Sequence, residues 1–156
     1  MTDTSQDLLL GVEIFINAAP ESVWTILTAR QEEWWCPKPW RIQIIEQDWR
    51  AGGRCAMDIL GPNGERMPND GVFLEVTPGT RFVSTDAFTA GWKPAGPFMV
   101  GTWEIEPEGT GTRYRAFARH WSKESYEQHQ SMGFEAGWMA VAEQLKALCE
   151  AEAGRS

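Results

Sequence analysis

At 156 residues, with 42% hydrophobic and 23% charged residues, the chain has the length and balance of one ordinary globular domain, which excludes disordered, fibrous and membrane-spanning classes. The net charge of −8, with Lys and Arg forming no cluster or stripe, speaks against nucleic acid and against anionic membrane surfaces as partners. The polar, acidic stretch from Met1 to Asp7 reads as no signal peptide, and three widely spaced cysteines, Cys36, Cys55 and Cys149, suggest neither disulfides nor zinc, so a reduced, cytoplasmic setting is expected.

Val12 to Asn17 alternates, with Val12, Ile14 and Ile16 on one face, and predicts a strand that stops at Ala19-Pro20. A helix follows to about Arg30, opened by Pro20 and Glu21 and burying Val23, Trp24 and Leu27. Gln31 to Trp40 is expected to form a second short helix, capped by a rigid loop in which Pro37 and Pro39 forbid helical continuation. Six segments of strand character come next: Arg41 to Asp48, Gly53 to Leu60, Met67 to Val76, Arg81 to Asp86, Phe98 to Glu106 and Thr112 to His120. Turns such as Ala51-Gly52-Gly53 and Thr77-Pro78-Gly79 join them as an antiparallel meander. Thr89 to Pro97 is a longer loop, read as a connector or a lid. From Ser122 the period changes, with Phe134, Trp138, Val141, Leu145 and Leu148 spaced 4, 3, 4 and 3 residues apart. One amphipathic helix is expected from about Lys123 to Glu152, roughly 45 Å long at 1.5 Å per residue.

This order predicts an α+β fold: a curved antiparallel sheet of about seven strands, two short helices and a long C-terminal helix, in a single domain over residues 1–156 with an ordered core of about 9–151. A twisted sheet curling around one helix leaves space at its open end. Gly133 and Gly137 lie four apart on the helix, and they serve either close packing or room for a ligand. The nine tryptophans also divide. Trp103 alternates with Ile105 and points inward, Trp138 lies on the helix seam, and Trp34, Trp35, Trp92 and Trp121 fall in loops or ends near the opening, as pocket walls or as core filler.

Certain residues carry a resemblance. Phe15 to Trp24 with Leu27-Thr28, the Trp34-Trp35 loop, Ala51-Gly52-Gly53-Arg54, and His129-x-x-Met132-Gly133-Phe134-x-x-Gly137-Trp138 with Leu145 resemble the START-related helix-grip (SRPBCC) superfamily, within it the bacterial group similar to the C-terminal domain of the activator of the ninety-kilodalton heat-shock chaperone ATPase. The resemblance covers roughly Leu9 to Ala151 and implies a sheet gripping a C-terminal helix around a hydrophobic cavity that serves different ligands in different relatives. The chaperone activity is not carried over, because in the eukaryotic activator this domain works with a separate N-terminal domain for which this chain has no room.

The ligand-binding candidates are Trp35, Met57, Phe82, Trp103, Tyr114, Met132, Phe134 and Trp138, with His120 on the face of Tyr114, Ala116 and Ala118 either beside the cavity or hydrogen-bonded at a strand end. Ser84 and Asp86 share the face of Phe82 and could anchor polar groups, Asp58 is read as a surface charge, and Cys36 as a buried inert thiol. His120 and His129 are not spaced as metal ligands, and no hydrolase, nucleotide or dinucleotide motif occurs, so no catalytic residue, metal or cofactor is named. The expected function is binding of a small apolar or aromatic molecule. The alternatives are a co-chaperone-like module that meets a protein partner or a second copy through the outer sheet face or the Trp34 to Trp40 loop, and a cyclase or hydrolase-type enzyme.

Overall fold

The computed structural model describes residues 8–96 and 99–154. Its elements in chain order are β1 (Leu9–Ile16), α1 (Pro20–Ala29), a 3-10 turn (Gln31–Glu33), β2 (Arg41–Gln47), β3 (Arg54–Leu60), β4 (Arg66–Thr77), β5 (Arg81–Thr85), β6 (Phe88–Thr89), β7 (Lys93–Pro94), β8 (Met99–Glu108), β9 (Gly111–His120), α2 (Lys123–Ser131) and α3 (Phe134–Ala153). Seven strands make one antiparallel sheet in the order β1-β9-β8-β5-β4-β3-β2, while β6 and β7 form a small separate ribbon. The chain between β1 and β2 therefore joins the two edges of the sheet. That is a width of about 29 Å at roughly 4.8 Å per strand if flat, and curling shortens it.

Pro20 sets the first turn of α1 with a φ suited to helix, and the buried Thr112 hydroxyl donates to the Ala18 carbonyl at 2.7 Å, fixing that start against β9. The sheet bends where its register shifts, between Ile44 and Glu46 and between Phe73 and Glu75. At Gly71 the bend leaves no room for a side chain, since an added Cβ would lie 2.2 Å from the Thr85 carbonyl oxygen.

Alternation then sorts the two faces. On the convex face Glu13, Arg113, Arg115, Glu106 and Glu108 form linked ion pairs, continued by Glu75, Arg81 and Glu104. Such exposed pairs stabilise little, but they keep that face solvated. On the concave side Ile16, Val23, Leu27, Phe73, Phe82, Trp103, Tyr114 and Leu145 are buried in one cluster, and α3 packs against β1 and α1.

Three expectations are corrected. The helix from Lys123 to Glu152 is two helices, because Gly133 adopts φ +87°, which ends α2 and opens α3. Gln31 to Trp40 holds only a 3-10 turn, since Trp34 sinks into the core with its indole N–H donating to the Ile26 carbonyl at 3.0 Å. Trp34 is thus core and no part of an opening. The segment from Thr89 folds back as the β6–β7 ribbon; the expected loop end at Pro97 and strand start at Phe98 lie outside the described residues.

Candidate functional site

Between the concave sheet face and the C-terminal helices lie two adjoining cavities of about 290 Å³ each. Trp35, Asn69, Met99, Trp103, His129 and Met132 line both. The helix-side cavity is completed by Tyr114, Phe134, Gly137, Trp138, Val141 and the Cys36-Pro37 loop; the sheet-side cavity is completed by Met57, Ile59, Phe82 and a polar edge of Ser84, Thr85 and Asp86. Each volume lies at the lower end of the range used for small-molecule sites, roughly 300 to 1,000 Å³.

A column of rings crosses from sheet to helix. Phe82 stacks on Trp103 at 5.0 Å, Trp103 on Trp138 at 5.6 Å, and Trp138 on Phe134 at 4.3 Å, with Trp35 5.0 Å from Trp103. The tryptophans thus serve as core filler and as cavity wall together, because Trp103 lines both cavities while burying its own ring. Volume survives beside the column because Gly133 and Gly137 supply no side chain, and a Cβ added at either would meet nothing within 4 Å. Close packing therefore explains neither glycine: Gly133 answers to its positive φ, and Gly137 faces open space.

The loop at the cavity mouth is tied to α3 by one side chain. Gln144 donates from Nε2 to the carbonyls of Trp34 at 3.0 Å and Cys36 at 2.8 Å, and its Oε1 accepts from the Lys38 amide at 3.1 Å. Opposite, the Thr85 hydroxyl donates to the Met99 carbonyl at 2.9 Å and accepts from the Ala87 amide at 3.1 Å, closing the end of β5 onto β8. Met132 marks the mouth, for it lines both cavities and is 69% exposed.

Burial holds Tyr114, His129 and the cavity-lining thiols neutral. Burial pushes the Tyr114 phenol well above its usual range. Burial, then the neighbouring His120, pushes His129 down to about 4. His120 Nδ1 lies 2.8 Å from the Leu8 carbonyl oxygen, and its Nε2 lies 2.8 Å from Nδ1 of His129. Burial also pushes the Cys36 thiol up to about 11 and those of Cys55 and Cys149 up to about 12, which keeps all three protonated and unreactive near neutrality. Asp58 forms a surface ion pair with Arg66, away from Met57 on the opposite face of β3.

Of the residues singled out from sequence, Trp35, Met57, Phe82, Trp103, Tyr114, Met132, Phe134 and Trp138 line one or both cavities, as do Ser84 and Asp86. His120 lines neither and stands behind His129, in the hydrogen-bonded strand-end position. Trp92 and Trp121 are more than half exposed and line neither. Sequence reasoning passed over His129, Asn69 and Met99. Asn69 was detectable, since it shares the alternation of Gly71 and Phe73; His129 was not, because the break at Gly133 re-aims α2 relative to the α3 stripe.

Comparison with known proteins follows this architecture. The family model for Activator of Hsp90 ATPase homolog 1-like protein matches residues 17–150. The chain is similar to a crystal structure of a Nitrosomonas europaea protein at 34% identity, covering 97% of this chain and 98% of that one with a TM-score of 0.86. It is similar in fold to a Mycobacterium smegmatis protein, at 24% identity over 92% and 91% of the two chains with a TM-score of 0.76, and to an AHSA1 protein of Silicibacter pomeroyi, at 20% identity over 92% and 99% with a TM-score of 0.70. No curated protein matches the chain. Since the matched span runs from just after β1 to the last turns of α3 and includes the other six strands of the sheet, the break and the cavity walls, the chain belongs to the Activator of Hsp90 ATPase homolog 1-like family.

Proposed function

We propose that this protein binds a small apolar or aromatic molecule in the paired cavities, with Trp35, Trp103, Phe134 and Trp138 as stacking walls. The observation that carries this reading is the open space at Gly133 and Gly137. A helix interior ordinarily avoids glycine at about 1 kcal/mol relative to alanine, so Gly137 sustains a cost that an unfilled cavity explains. The polar edge at Ser84 and Asp86 gives such a ligand orientation.

The interaction-module alternative draws on the family's name and on Trp92, Trp121 and Met132, which are exposed. It is weakened by the two surfaces it would use: the outer sheet face carries linked ion pairs, and Trp34 is buried. A thermal-shift screen of aromatic and lipid-like compounds, joined to mass spectrometry of non-denaturing extracts, tests the binding reading. A ligand at one hundred times its Kd should add about 2.7 kcal/mol of stability. A flat screen with no co-purifying molecule rejects it.

A further inference from the structure

Two hydroxyl-bearing residues, Thr112 and Tyr114, stand buried on the same face of β9. Thr112 donates to the Ala18 carbonyl at 2.7 Å and is satisfied by the fold. Tyr114 is 1% exposed, yet its hydroxyl has no hydrogen-bond partner among the described residues. Among those residues, every side-chain oxygen or nitrogen sealed within a non-exposed residue has a partner. The Tyr114 oxygen is therefore not sealed, and the space it meets is the helix-side cavity that its residue lines. Burial keeps the phenol protonated, so it presents an O–H to that space. Around it the lining is apolar and uncharged: among the described residues no lysine, arginine, aspartate or glutamate lines this cavity.

We infer that the ligand is an uncharged aromatic carbonyl compound, an aryl or ring ketone, whose carbonyl oxygen accepts a hydrogen bond from the Tyr114 hydroxyl while its rings lie against Trp103 and Trp138. This rests on the cavity-binding reading and narrows it. A ligand without an acceptor would leave a buried donor unpaired, which costs more than a hydrogen bond ordinarily gains. A carboxylate would offer the acceptor but lose its hydration to aromatic walls with no lining cation to replace it. A ketone supplies the acceptor without the charge.

The test uses isothermal titration calorimetry of the native protein near neutral pH with three probes of one shape: 2-acetylnaphthalene, 2-isopropenylnaphthalene, in which a methylene replaces the carbonyl oxygen, and 2-naphthoate. The ketone should bind about tenfold more tightly than the alkene, the worth of one hydrogen bond from a buried donor. Tyr114→Phe removes only the oxygen, so it should abolish that preference without lowering the melting temperature of the ligand-free protein. In the infrared, the C=O band of the bound ketone should lie at lower frequency in the native protein than in Tyr114→Phe. Equal binding of ketone and alkene, tighter binding of 2-naphthoate, a preference or band position unchanged by Tyr114→Phe, or a lowered melting temperature that shows the hydroxyl already serving the fold overturns the carbonyl assignment and leaves the cavity reading standing. Failure of all three probes to bind overturns both.

Discussion

Gly133 and Gly137 are the same residue type four positions apart, and they do different things. Gly133 holds φ +87°, where a Cβ is strained whatever the space, whereas Gly137 sits in regular helix facing open volume. Gly133→Ala should therefore cost about 1–2 kcal/mol. Gly137→Ala should raise stability by about 0.5–1 kcal/mol. Gly137→Leu should fill the helix-side cavity and abolish binding of any aromatic probe while the protein stays folded; urea unfolding and calorimetry read both. The cysteines make a second residue-scale prediction. With all three thiols pushed up to about 11 or 12 by burial, a thiol reagent near neutral pH should label the native protein slowly and all three positions quickly in denaturant. Fast labelling of native Cys36 would show the mouth loop to be open.

Among elements, the loop from Trp34 to Pro39 depends on α3 for its shape. Gln144 satisfies three backbone groups of that loop, so Gln144→Ala should cost about 1–3 kcal/mol through groups left unpaired and should weaken probe binding by displacing Trp35 from the cavity wall. A Gln144→Ala protein with native melting temperature and affinity would show that the loop holds its own conformation. The strands themselves were legible: each of the seven in the main sheet falls within a few residues of its alternating segment, because half-burial on one face imposes period two on the sequence. The helix break was not. Phe134, Trp138, Val141 and Leu145 continue a helical stripe, and a glycine before it reads equally well as interior packing or as a left-handed stop.

Over the whole molecule, pH dependence joins the site to stability. His129 falls from an unfolded value near 6.5 to about 4 when folded, so between these limits the unfolded chain binds more protons. Stability should be fully present above about pH 6.5 and decline as pH falls toward 4. The half-buried ring is partly screened by water, which brings the loss to about 1–2 kcal/mol. Glu150, held below the usual carboxylate range by Lys146 and then by the Asn17 amide, loses its own contribution toward the acid end. Urea midpoints across this range should slope less in His129→Gln than in the native protein, and parallel slopes would remove His129 from the account.

The sequence by itself determined the α+β class, the strand order along the chain, the family resemblance and the inward direction of Trp103 and Trp138, since local periodicity and turn chemistry carry that information. Tertiary structure alone decided that Trp34 is core, that His120 stands behind His129, and that Gly133 and Gly137 open space instead of closing it. Those outcomes depend on how far a bent sheet stands from a broken helix. That separation is set by long-range packing and appears in no single stretch of residues.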